Sequence, residues 1–117
     1  MVFFSLVALT MVSCSSISDM RQGREPHLIC QEKLMPYGYQ KTYRIAVDSL
    51  SETYILDKNI YTDIQEGQIN LLLKSIFSEN AAGFFDVKGN PDGTSTAKAC
   101  SFGPFKKVLF QKLADIK

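Results

Sequence analysis

The chain has no tryptophan, a single histidine, four prolines and three cysteines in 117 residues, and its charges nearly cancel, with 13 Lys plus Arg against 12 Asp plus Glu. Each scarcity excludes something. A Ser or Cys nucleophile needs a neighbouring base, so one histidine, His27, removes most nucleophilic triads. His27 and Cys30 have the spacing of two metal ligands, but a structural zinc site takes four, usually as two such pairs, and there is no second pair. The glycines show neither a Walker-type nor a dinucleotide-type spacing, so no phosphate cradle, no cofactor and no small-molecule substrate is expected. A formal net charge of +1 gives no global attraction toward nucleic acid. No apolar run approaches the roughly 20 residues of a transmembrane helix.

What is present describes one small folded domain. A hydrophobic fraction of 45% with 11% aromatics is too apolar for a disordered chain. The length allows one modest core and no cofactor-binding fold of the Rossmann or barrel type.

The N-terminus differs sharply in composition from the rest. Residues Met1 to Ser13 carry no charge and are mostly Val, Phe, Leu, Ala and Met, whereas the chain is polar from Ser15 onward. About thirteen residues in a helix span only some 20 Å, the length of a secretory apolar region rather than of a membrane span. Met11-Val12-Ser13-Cys14, followed by Ser15-Ser16, resembles the lipobox of bacterial lipoproteins, although Met11 stands where Leu is usual and no Lys or Arg precedes the run. The resemblance implies that residues 1–13 are a signal peptide and that Cys14 becomes an acylated first residue. It also implies an outer-membrane location, periplasm-facing or surface-exposed, and Ser15 resembles the outer-membrane-sorted members. Two alternatives stand beside it: cleavage by an ordinary peptidase near Ser13 or Ser15, giving a soluble secreted or periplasmic protein, and a buried element of a non-exported one. Residues 14–27 then read as a lipidated cysteine and polar tether, with Arg21 and Arg24 near head groups or simply solvated.

Residues 28–117 are expected to form the globular part, an α+β domain with an antiparallel sheet of four or five strands, one central helix and a terminal helix or strand. His27 to Lys33 alternates weakly, and Met35 to Tyr39 is a turn. Lys41 to Asp48 reads as a strand with Tyr43, Ile45 and Val47 on one face, pairing in a hairpin with Thr53 to Leu56. Thr62 to Ser78 reads as a helix, with Asp63 and Glu66 in a capping-box arrangement and Gly67 as its weak point. Strands follow at Phe84 to Lys88 and Thr94 to Ser101, around a type I turn at Asn90-Pro91-Asp92-Gly93. Pro104 opens a terminal helix.

If Cys14 is acylated, Cys30 and Cys100 remain as an even pair in an oxidising compartment, and a disulfide between them is expected. Tyr37 and Tyr39, flanking Gly38, and Lys106, Lys107 and Lys112 in the basic C-terminal segment are the candidate partner-binding residues. The same lysines also suit the water-facing side of a docked helix, and the tyrosines the edge of a small core. Asp48 and Glu52 read as turn formers rather than as an acid/base pair. The expected function is that of a non-catalytic envelope lipoprotein, held to the membrane by its lipid and binding a protein of the cell envelope. Alternatives are an inhibitor, immunity or exclusion-type lipoprotein that blocks a toxin, enzyme or receptor, and a small periplasmic hydrolase, which would need a cleft converging on the carboxylates or on His27.

Overall fold

Tyr39, Thr42, Tyr43, Ala46, Val47 and Leu50 recur at intervals of three and four, and in the structure they form the inward stripe of a twelve-residue helix, α2 (Tyr39–Leu50). This corrects the strand expected at Lys41 to Asp48. Tyr43 and Val47 of the alternating trio Tyr43, Ile45 and Val47 belong to this stripe, but the helix brings six side chains onto the core. Thr42, Ala46 and Leu50 are fully buried, and the Thr42 hydroxyl meets Ser95 Oγ at 2.7 Å, so neither buried hydroxyl is left unsatisfied.

The computed structural model describes residues 17–74 and 81–117; the apolar segment 1–13 and Cys14 lie outside them. Within the described residues the elements in chain order are α1 (Ile17–Arg21), β1 (Ile29–Met35), α2, β2 (Tyr54–Tyr61), β3 (Glu66–Leu73), β4 (Ala81–Gly89), β5 (Ser95–Ser101), a 3-10 turn (Gly103–Phe105) and α3 (Lys106–Asp115). The five strands form one antiparallel sheet in the order β1-β5-β4-β3-β2. The fold is therefore α+β, with the terminal helix present and Cys30 bonded to Cys100.

A second correction concerns residues 62–78. Thr62 to Gln65 is a turn with Gln65 at φ 52°, and β2 and β3 on either side pair from Tyr54 opposite Leu73 to Tyr61 opposite Glu66. Ile69 and Leu71 are fully buried, while Gln68 and Asn70 turn to the other face, the period of two that belongs to a strand. Gly67 is where this strand meets α2. The ring of Tyr43 lies against its backbone so closely that a Cβ there would sit 2.3 Å from Tyr43 Cδ2. Residues 75–80, where the expected helix ended, are outside the described residues.

Both long helices lie on one face of the sheet. Phe85, Val87, Ala97 and Ala99 point into the core beneath them, joined by Leu50 from α2 and Leu109 and Leu113 from α3. Lys33 Nζ donates to the Leu113 and Ala114 carbonyls at 3.3 and 2.9 Å, placing a cation at the negative end of α3. Between β4 and β5 the Asn90 to Gly93 turn forms as expected: Gly93 N–H donates to the Asn90 carbonyl at 3.2 Å, and Gly93 has φ +87°. Hydrogen bonds from the Thr94 side chain and backbone hold the Asp92 carboxyl below its usual range.

The opposite face carries α1. The sequence reads Ser15 to Pro26 as a tether, yet Ile17–Arg21 is helical and packed on the sheet, with Met20 fully buried against Phe84 and Cys100. Gln22 to Leu28 connects it to β1 by turns.

Candidate functional site

One departure from a closed surface lies where α2 meets the sheet's edge. α2 covers β3, β4 and β5 but leaves the outer strand β2 half open, and a groove of about 380 Å³ runs between them. Gln40, Tyr43, Arg44 and Val47 form its helical wall at the spacing i, i+3, i+4, i+7, and Lys58 and Ile60 form the strand wall. Its floor and sides are apolar, from Val47, Ile60 and the Tyr43 ring, whose hydroxyl burial pushes above the ordinary tyrosine range. The rim is cationic. Among the described residues neither Arg44 nor Lys58 has a carboxylate within ion-pair distance. A second hollow, lined by Gly38, Tyr39, Gln40, Lys41 and Arg44, extends the first around the start of α2.

Strand β2 adds main-chain groups to this surface. Among the described residues it pairs only with β3, leaving one side of Tyr54–Tyr61 with backbone donors and acceptors that none of them pairs, and Ile55, Ile60, Tyr61 and Ile64 are exposed along it and its turn. A cationic, partly apolar groove beside a free strand edge suits an extended acidic segment of another protein, whose backbone can pair with β2 while its side chains reach Lys58 and Arg44. Among the described residues no carboxylate lines either hollow, and no three His, Cys, Asp or Glu side chains gather as metal ligands would.

The residues singled out from sequence are placed as follows. Tyr37 and Tyr39 are half-buried and packed on the core rather than fully exposed, and Lys41 Nζ stands 4.3 Å above the Tyr37 ring. Tyr39 also borders the second hollow. Lys112 is engaged within the fold, donating to the Ser49 carbonyl at 3.2 Å and lying 3.9 Å from Glu52, so it ties α3 to the end of α2. Lys106 and Lys107 are exposed in the first turn of α3, far from the groove. His27 is exposed and borders a separate hollow of about 410 Å³ with Lys106. Cys30 and Cys100 are directly opposed across β1 and β5.

Arg21 was the least visible of the organising residues. Its guanidinium grips Asp86 with two hydrogen bonds of 2.8 and 2.9 Å, donates to Asn70 Oδ1 at 2.8 Å and lies 4.4 Å over the Phe84 ring. Asn70 in turn donates to Asp57 at 3.0 Å, so this cluster ties α1 to β4, β3 and β2. Burial pushes the Asp86 carboxyl above its ordinary range, against the hydrogen bonds and charge of Arg21; Glu66 adds to the rise and Lys98 opposes it. A carboxyl raised in the folded state binds its proton more tightly there than in the unfolded chain. Its contribution to stability is complete below the unfolded value and is lost as pH rises through the folded one. The melting temperature of the wild type relative to Asp86→Asn should therefore fall as pH rises through this window, and Arg21→Ala should steepen the fall. A difference that grows with pH would reverse the assignment.

No protein-family model matches the chain, and neither does the sequence of any curated protein.

Proposed function

We propose that the protein is a non-catalytic envelope lipoprotein, anchored through Cys14, that binds another protein of the cell envelope through the groove between α2 and β2. The observation that carries this reading is the pair of cations, Arg44 and Lys58, without an ion-pair partner among the described residues, flanking an apolar floor beside the edge strand β2. The composition break at Cys14 and the Cys30–Cys100 disulfide support the compartment. The partner's contact segment is extended and acidic.

Two measurements test it. Mass spectrometry of the mature protein should find an acylated Cys14 at its N-terminus; an unmodified chain beginning elsewhere ends the anchoring part of the proposal. A photo-crosslinking residue at Ile60 should capture a discrete envelope protein in cells, and Arg44→Glu with Lys58→Glu should weaken that capture by at least about tenfold, since placing like charges across an interface costs several kcal/mol. Unchanged capture by the doubly reversed variant would remove the groove from the proposal.

A further inference from the structure

We infer that the end of the sheet away from the groove is a bilayer-contacting surface, with Lys106 and Lys107 on anionic phospholipid headgroups. This rests on the reading of Cys14 as the acylated residue and adds an orientation to it.

The direction of α1 sets the geometry. Its last residue, Arg21, is fixed to Asp86 and Asn70, whereas Ile17 packs against buried Met20, Phe84 and Cys100 in company with Leu28, Ala81 and Phe102. The last three side chains lie where β1 and β4 begin and β5 ends, as the pairing of Ile29 with Ser101 and of Ser101 with Gly83 shows. α1 therefore points its N-terminus toward that end of the sheet. Only Ser15 and Ser16 separate Cys14 from Ile17. Three residue steps reach at most about 11 Å in any conformation. With α1 docked, the lipid anchor has no spacer, and the domain stands with this end close to the headgroups.

The surface found there has matching chemistry. Lys106 and Lys107 are exposed in the first turn of α3, which contains no acidic residue. Cations at a helix N-terminus oppose the helix dipole, so stability of α3 does not account for them. Anionic headgroups would, because a lysine near such a surface gains about 1 kcal/mol. Beside them lie exposed Ile29 and Pro104 and the hollow bordered by Pro26, His27 and Leu28. The nearest acid of this loop, Glu25, accepts the His27 backbone N–H at 3.1 Å.

The groove lies toward the other end. Ile60 pairs with Gly67, and Gly67 with Val87, four residues along β2 from the pairing of Leu56 with Leu71. That displacement is about 13 Å along the strand, away from the bilayer. A bilayer at one end and a partner groove toward the other leaves both free to be occupied together.

The test uses the full acylated chain reconstituted in vesicles of phosphatidylethanolamine and phosphatidylglycerol bearing a headgroup quencher. A fluorescent amino acid replaces Pro104 in one preparation and Asp92, in the turn at the far end of the sheet, in another. Quenching at position 104 is expected to be severalfold stronger than at 92. The K106E/K107E variant should reduce the population of this orientation on the order of tenfold. Equal quenching at the two positions, or a contrast unchanged by K106E/K107E, overturns the inference while Cys14 acylation, read separately by mass, stands. An unacylated Cys14 overturns both.

Discussion

Reduction of the Cys30–Cys100 bond should lower the melting temperature by about 15–30 °C. The bond closes a loop with a sequence separation of 70, and cross-linking a loop of that length restricts the unfolded chain by about 4 kcal/mol in the entropy model. For a domain of this size each kcal/mol moves the midpoint by about 4–8 °C. The bond also has a local task. β1 is an edge strand, five of whose seven residues are exposed, so little apolar burial beyond Met35 holds it to β5. Cys100 is fully buried beneath Met20 and Phe84, while Cys30 is exposed on the edge strand. The disulfide thus fastens a mostly exposed edge strand to one of the most buried. Thermal unfolding with and without reductant checks the magnitude, and hydrogen exchange in the reduced protein should show β1 opening before β4. A fall of only a few degrees would mean that the backbone ladder and the grip of Lys33 on α3 hold β1 without help.

Much of the architecture is legible in the chain because local signals and tertiary demands agree there. The turn at Asn90 to Gly93, the strands on either side of it and the terminal helix after Pro104 all follow from residues acting on their immediate neighbours. The segments from Tyr39 to Leu73 are harder for a definite reason. Tyr43, Ile45 and Val47 alternate, and Ile64, Ile69, Leu72, Leu73 and Ile76 recur at mixed intervals, so each run fits two periods. What separates them is non-local. Tyr43 lies directly on Gly67, and that contact joins a helix to a strand beneath it.

The same exchange concealed the groove. As a strand, residues 41–48 put Tyr43 and Arg44 on opposite faces; as α2 they place Gln40, Tyr43, Arg44 and Val47 along one wall. Lys58 and Ile60 face that wall only because α2 carries the chain from β1, at one edge of the sheet, across to β2 at the other. The docking of α1 had a weaker local sign. Ile17 and Met20 stand three apart, as one face of a helical turn requires, but the partners of Arg21 are 49 and 65 residues away. A short polar segment reads as a tether when the groups that bind it lie that far along the chain.

Two glycines should respond to the same substitution in opposite ways. At Gly83 a Cβ would lie 2.2 Å from the carbonyl oxygen of Cys100, and that oxygen belongs to the neighbouring strand's backbone, one residue from the paired Ser101. No rotamer change relieves such a contact. β4 and β5 must separate where β4 begins and β5 ends, so Gly83→Ala should cost on the order of 3 kcal/mol, at the upper end of the range for overpacked cores. At Gly67 the obstructing atom is Tyr43 Cδ2, part of a side chain at the rim of the groove. There the ring can swing outward, and Gly67→Ala should cost only about 1 kcal/mol. Its effect falls instead on the groove, which loses the aromatic wall that Tyr43 provides. Thermal melts should therefore rank Gly83→Ala as the more damaging variant, while crosslinking from Ile60 should fail in Gly67→Ala and persist in whatever fraction of Gly83→Ala remains folded. Full crosslinking in Gly67→Ala would show that Tyr43 does not shape the binding surface, and the contact it makes with Gly67 would then serve packing alone.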